Sequence, residues 1–193
     1  MSFKLIARFE EAIGALTGAP FVVMTDCCTH AIELCLRYVH PHKIVRIPAH
    51  TYISVPMTLR KLDIEYEYEP IDWLGEYQIK ETNVWDSARL LQTGMYRKGQ
   101  MQCLSFGYDK PLSIGHGGAI LLDDEQAYRT LIRQRSDGRD LNITPWQDQR
   151  VFELGFHYRP TIEDAIRGLE LLPTLDQNPK HKQYPDLREI IFK

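Results

Sequence analysis

Apolar and polar positions along the chain follow two periods in turn, one helical and one of strict alternation, and the switches between them mark out the elements. Over residues 3–17, Phe3, Ile6, Ala7, Phe9, Ile13 and Leu16 fall at helical spacing, and Gly18 ends the run. Phe21-Val22-Val23-Met24 reads as a short buried strand. Thr29 to Val39 is predicted as a helix with Ala31, Ile32, Cys35 and Leu36 on one stripe and Pro41 as its stop. Ile44 to Pro48 predicts the next strand and Ser54 to Leu62 a short helix. Residues 64–69 alternate strictly, which predicts a strand near a sheet edge with Glu65, Glu67 and Glu69 on its wet face. Asn83–Asp86, Met101–Phe106 and Gly117–Leu122 complete the strands. Asp123 and Asp124 are placed to cap a helix from Glu125 to about Ser136. Thr161 to Leu172 is helical, with Glu163 and Asp164 favouring its amino end. From Pro173 to Lys193 the chain is polar, interrupted by prolines, and reads as an irregular tail.

Strands separated by helices imply βαβ units, an α/β fold in three α/β/α layers, and a mostly parallel sheet, with residues 1–193 as a single domain. Ligands of such sheets bind outside the carboxyl ends of the strands. The stretches to search are therefore Asp26–His30, Ala49–Tyr52, Asp86–Arg89 and Gly107–Gly118.

Composition narrows the class. The chain has 193 residues, with 23 Lys and Arg against 26 Asp and Glu, so no cationic face for a nucleic-acid backbone is expected. Its 44% hydrophobic and 25% charged residues exclude a disordered chain. No apolar run approaches the ~20 residues of a membrane helix. The charged, amphipathic N-terminus is not that of a signal peptide, so a cytoplasmic location is expected. Cys27, Cys28, Cys35 and Cys103 lack C-x-x-C spacing and read as reduced, buried thiols. His40-Pro41-His42 has no Cys or carboxylate at ligand spacing, so no metal site is expected.

Each strand-end residue taken alone has an ordinary reading. Thr29 is a helix cap, although the same free N–H groups bind phosphate. Asp86, flanked by apolar residues, needs a partner; that is a cap, a salt bridge to Arg89, or a protonated ring nitrogen. Lys110 is a loop lysine. Together they form a set. Pyridoxal phosphate needs an amine for a Schiff base, a carboxylate for its pyridinium, donors for its phosphate and a flat group against its ring. Lys110, Asp86, Thr29 with Ser105, and Tyr52 are residues of those kinds at predicted strand ends.

In order along the chain these residues sit in motifs that resemble the DegT/DnrJ/EryC1/StrS family of sugar aminotransferases, which are pyridoxal-phosphate enzymes of fold type I. Phe9-Glu10-Glu11 with Leu16-Thr17-Gly18 is similar to the family's opening F-E-x(n)-G. Pro48 to Ser54 matches P-x-x-T-[FWY]-x-[AS], and Asp86-Ser87-Ala88 matches D-x-A. Ser105 to Lys110 matches S-F-x-x-x-K, and Gly115 to Ala119 matches G-x-G-G-A. Arg135 to Arg139 looks like R-x-H-G-R, and Gly155 to Arg159 resembles G-x-N-x-R. The resemblance implies the large domain of fold type I, in a shortened form. Residues 71–84 are compressed, and the chain ends where the small C-terminal domain would begin. It further implies Lys110 as the Schiff-base lysine and proton carrier, Asp86 on the pyridine nitrogen, Thr29 and Ser105 on the phosphate, and Tyr52 on the ring. Cys28 stands at the glycine of the phosphate turn. Arg89 stands where Gln or His lies beside a cofactor oxygen. His157 stands where an asparagine reaches the partner subunit's phosphate in a homodimer. The implied activity transfers an amino group from an amino acid such as glutamate to a keto-sugar nucleotide. A dehydratase or racemase using the same cofactor, and a non-catalytic relative that binds a ligand or partner, are the alternatives.

Overall fold

Helix α1 (Phe3–Thr17) packs under strand β1 (Phe21–Thr25), and the chain then alternates: α2 (Cys28–Val39), β2 (Val45–Pro48), α3 (Ser54–Lys61), β3 (Tyr66–Glu69), β4 (Tyr77–Gln78), β5 (Val84–Asp86), β6 (Met101–Ser105), β7 (Gly118–Leu122), α4 (Glu125–Gln134) and α5 (Ile162–Leu171). The computed structural model describes residues 3–192 apart from the Phe3 side chain. The readings that fall on Met1, Ser2, Lys193 and that side chain lie outside the described residues. Every expected helix and strand is present, with ends within two residues of those the pattern predicts. The addition is β4, too short to show a period. After α5 the described residues of the tail hold only short 3-10 turns at Leu172–Thr174 and Leu187–Glu189, as its composition predicts.

The main sheet runs β1-β7-β6-β5-β4, and β2 pairs in parallel with β3. A bridge between Arg46 and Lys80 links the two, with the Lys80 amide donating to the Arg46 carbonyl. Among the described residues, only β5–β6 and β2–β3 are parallel ladders. The others are antiparallel because β7 and β4 run against their neighbours. Tracing direction through these pairings leaves β1, β2, β3, β5 and β6 pointing one way. The expected parallel order therefore holds for strand direction, while the ladders are mixed. This direction brings the carboxyl ends of five strands to one edge.

Both sheet faces are covered, which gives the three layers. In β7, Ile120 and Leu122 belong to a core with Ala31, Cys35 and Leu131 of α2 and α4. Ala119 and Leu121 belong to the opposite core with Ile6, Phe9 and Ile13 of α1 and Ala165 of α5. Strand alternation sends successive residues to opposite layers. Glu65 and Glu67 are exposed as expected, whereas Glu69 is half-buried and bridged by Arg46 and Lys80. A buried charge pair ties the second layer to the sheet. Glu10 accepts from the Met24 amide at 2.8 Å and pairs with Arg135, whose guanidinium also donates to the Met24 carbonyl.

The backbone of the chain comes close to itself where β7 starts. A Cβ on Gly118 would lie 2.5 Å from the Cys27 carbonyl carbon and the Cys28 amide nitrogen. Both obstacles are backbone, so neither yields by rotating. Replacing Gly118 by Ala is expected to cost about 2 kcal/mol through overpacking, read as a lowered melting temperature and denaturant midpoint.

Candidate cofactor site

The shared direction of the strands gathers the four stretches singled out in the sequence around one cavity of about 310 Å³. Its wall includes Cys28 and Thr29 from the start of α2, Tyr52 beyond β2, Asp86 and Arg89 at the end of β5, and Ser105 and Lys110 at the end of β6. A larger surface hollow of about 440 Å³, lined by His40, Lys43, Leu62 and Glu65, lies at the opposite end of β2 and holds none of these groups.

Asp86 is buried. Its Oδ1 accepts from the Ala88 amide at 3.0 Å and its Oδ2 from the Tyr77 hydroxyl at 2.9 Å. Burial holds its carboxyl above the ordinary carboxylate range, against the lowering effect of those two bonds and of nearby Lys110 and Arg89. Tyr77 commits its single proton to Asp86, so the Thr51 hydroxyl 2.6 Å away donates to Tyr77. The salt bridge from Arg89 to Asp86 entertained from the sequence does not form. Arg89 instead pairs with Asp109 at 3.2 Å and donates from Nε to the Lys180 carbonyl at 2.6 Å.

Lys110 sits in the tight turn after β6, its amide donating to the Gly107 carbonyl. Burial and the neighbouring Arg89 guanidinium pull its ammonium below the ordinary lysine range, while Asp109, Cys28 and Asp86 oppose them. Asp109 spreads its charge over Lys110 at 3.8 Å, Arg89 at 3.2 Å and Lys182 at 2.8 Å, and is held down to about 2, chiefly by the Lys182 bond.

At the far wall α2 starts without a side-chain cap. Thr29 is therefore not the cap of one sequence reading; it lies in the first turn and donates to the Ser54 hydroxyl at 2.9 Å. The first-turn amides carry the positive end of the helix dipole and suit an anion. The thiols are less uniformly buried than expected: Cys35 and Cys103 are buried, but Cys27 and Cys28 are only partly so. Burial and the Asp86 carboxylate push the Cys28 thiol up, so it acts here as a neutral group.

Tyr52 stands at the mouth, more than half exposed. Tyr184, Lys182 and Trp73 also line the cavity, and Tyr77 supports its floor. No sequence signal pointed to these four. His157 does not reach this cavity. It is exposed, 3.0 Å from Asp137, on the segment that precedes α5. Beside the α2 turn, His30 bonds Asp26 at 2.7 Å and stacks on Tyr158 with ring centres 3.6 Å apart. Asp26, Cys27 and His30 place their polar atoms within 4.8 Å of one another, and the Asp26 bond raises His30 to about 9.

The fold is that of the large domain of fold type I pyridoxal-phosphate transferases. The model of the DegT/DnrJ/EryC1/StrS aminotransferase family matches residues 92–185. Among solved structures, 3-amino-5-hydroxybenzoic acid synthase superposes with a TM-score of 0.72 at 22% identity, over 89% of this chain and 56% of that one. The PseC aminotransferase of Helicobacter pylori, involved in pseudoaminic acid biosynthesis, gives 0.72 at 15% identity, over 88% and 57%. A GDP-4-keto-6-deoxymannose-3-dehydratase with bound GDP-perosamine gives 0.70 at 15% identity, over 89% and 61%. The chain thus spans under two thirds of the length of these structures. No curated protein matches it by sequence.

The His30–Asp26 pair makes a pH prediction. A histidine raised from 6.5 to about 9 on folding contributes stability that is fully present below pH 6.5 and lost as pH rises through 9. With its side chain 28% exposed, the screened contribution is about 1 kcal/mol. His30→Gln is expected to lower the denaturation midpoint at pH 6 and to approach the parent protein by pH 10. An equal loss at both pH values would remove the ion pair as the cause.

Proposed function

We propose that this protein binds pyridoxal 5'-phosphate in the cavity and works as an aminotransferase, taking an amino group from an amino acid such as glutamate and passing it to a keto-sugar nucleotide. One observation carries the reading: an amine with a lowered pKa and a buried carboxylate share a small cavity with an uncapped helix start. The residues fit the cofactor by donor type. Thr29, Ser105 and the first-turn amides of α2 suit a phosphate, Tyr52 offers a flat face, and Arg89 adds a cation beside Lys110. When bound, this cofactor supplies an electron sink for charge developing on a substrate carbon.

The chain's own residues have distinct tasks in this reading. Lys110 holds the cofactor and carries a proton on Nζ; its lowered pKa keeps more of the amine neutral and nucleophilic at a given pH. Asp86 holds a proton on the ring nitrogen, and an opposite charge at that site favours the protonated ring. The Thr51–Tyr77 hydrogen bonds fix the direction of its Oδ2. Cys28 takes the glycine position of the phosphate turn as a neutral, compact side chain. The cytoplasm is the proposed compartment. Among the described residues no helix is long and apolar enough to cross a membrane.

The protein is further proposed to act as a homodimer. Trp146, Val151, Phe152 and Leu154 are exposed on the loop leading to His157 and Arg159, and burying such a patch favours association. His157 would then serve the partner's cavity. A molar mass of one chain by light scattering at micromolar concentration, with cofactor bound, would refute the dimer. Elimination is the second reading, favoured by the dehydratase among the structural neighbours. Release of water without a keto acid product would select it.

Three outcomes test the site. Borohydride reduction with cofactor present should label Lys110 in peptide maps, and Lys110→Ala should abolish the label. Asp86→Asn should still bind cofactor but lose at least ~100-fold in the half-reaction with glutamate, about 2.7 kcal/mol of transition-state stabilisation. An unchanged rate with a lowered melting temperature would make Asp86 a structural residue only. The rate of cofactor attachment should rise with pH through a midpoint below 10.5, and Arg89→Gln should move that midpoint upward, because it removes a cation that disfavours the charged amine.

A further inference from the structure

The C-terminal segment lies across the mouth of the cavity and is fastened to both rims. On the β5–β6 side, the Thr93 amide donates to the Gln177 side chain at 2.8 Å. The Lys180 amide donates to the Arg89 carbonyl at 2.9 Å, Arg89 Nε returns a bond to the Lys180 carbonyl, and Lys182 pairs with Asp109 at 2.8 Å. On the β2 side, the Leu187 amide donates to the Ala49 carbonyl at 3.0 Å, His50 Nδ1 donates to the Tyr184 carbonyl at 3.0 Å, and the Leu187 side chain is 1% exposed. Between these anchors Tyr184 turns inward. Its ring stacks near that of Trp73, with centres 6.0 Å apart and planes 20° apart, and lies 6.4 Å from that of Tyr52.

Between the two short turns the segment has neither helix nor strand, so its placement rests on these few contacts. A segment held this way opens far more readily than the sheet beneath it. A ligand bound only to the closed form holds it shut by mass action. The inner side of the segment offers one aromatic face and one cation, next to the Arg89 guanidinium and across from the α2 start. Flat anions complement such a surface.

We propose that Gln177–Leu187 forms an intramolecular wall of the site, with Tyr184 and Lys182 as ligand-facing residues that close over a planar, anionic ligand of the pyridoxal phosphate type. The assignment rests on the cofactor reading above. With the wall shut, the cavity has a volume at the low end for small-molecule sites, which suits the cofactor alone. The wall must lift for a nucleotide sugar to approach Lys110.

The test uses the full chain and two readouts other than turnover: the absorbance band of the lysine-bound cofactor, titrated to a Kd, and tryptic cleavage after Lys180 and Lys182. In the parent protein, pyridoxal phosphate at a hundred times its Kd should slow cleavage at these two sites by at least ~10-fold. Tyr184→Ala should weaken cofactor binding by about 10-fold through the lost aromatic contact, and Tyr184→Phe should restore it. Lys182→Gln should weaken binding and reduce its dependence on salt. Cofactor-free melting curves identify any variant that loses its fold, and Tyr184→Phe keeps the comparison usable in that case. A parent protein that binds cofactor, with both sites cut at an unchanged rate and all variants binding equally, overturns the wall alone. A parent protein that shows no band overturns the cofactor reading and the wall with it.

Discussion

A carboxylate removed from water beneath an open cavity sets the terms for the surrounding structure. Burying Asp86 without compensation would cost several kcal/mol if it stayed charged. The chain meets that cost with a turn amide from Ala88, a phenol from Tyr77, and cations at a distance in Lys110 and Arg89. The short strand β4 has its clearest role here. Its antiparallel register sets Tyr77 directly opposite Asp86, so the hydroxyl arrives by backbone pairing. Thr51, reaching Tyr77 from the loop after β2, then fixes a second rim of the cavity to the same carboxylate. One buried charge thus accounts for a strand, a turn and the position of a neighbouring loop.

The fold was legible because its signals were local and repeated. The stripe Ala31, Ile32, Cys35, Leu36 and the run Val22–Met24 each announce a period, and the alternation of strands and helices fixes which strand ends share an edge. Residues placed at those ends, Asp86, Ser105, Thr29 and Lys110, were for that reason readable as neighbours before any coordinates. Residues that reach the cavity by long-range folding were not. Tyr184 and Lys182 lie in a polar tail without periodicity, and their position depends on bonds to Ala49, His50, Arg89 and Asp109. Tyr77 lies in a strand too short to display alternation. Arg89, which lines the cavity, was given Asp86 as a possible partner. Arg89 turns instead to Asp109, a half-exposed carboxylate, while both oxygens of Asp86 already accept from Ala88 and Tyr77.

Arg89 links these levels. A guanidinium almost completely buried needs several acceptors, and it finds the Asp109 carboxylate and the Lys180 carbonyl. The first fixes the loop that carries Lys110, and the second fixes the segment over the cavity. The same charge lowers the Lys110 ammonium pKa directly, while Asp109 works in the opposite sense. Lys182 takes a further share of the Asp109 carboxylate from the tail, so the loop that carries Lys110 and the segment over the cavity are fastened to the same carboxylate, because Asp109 holds cations from both.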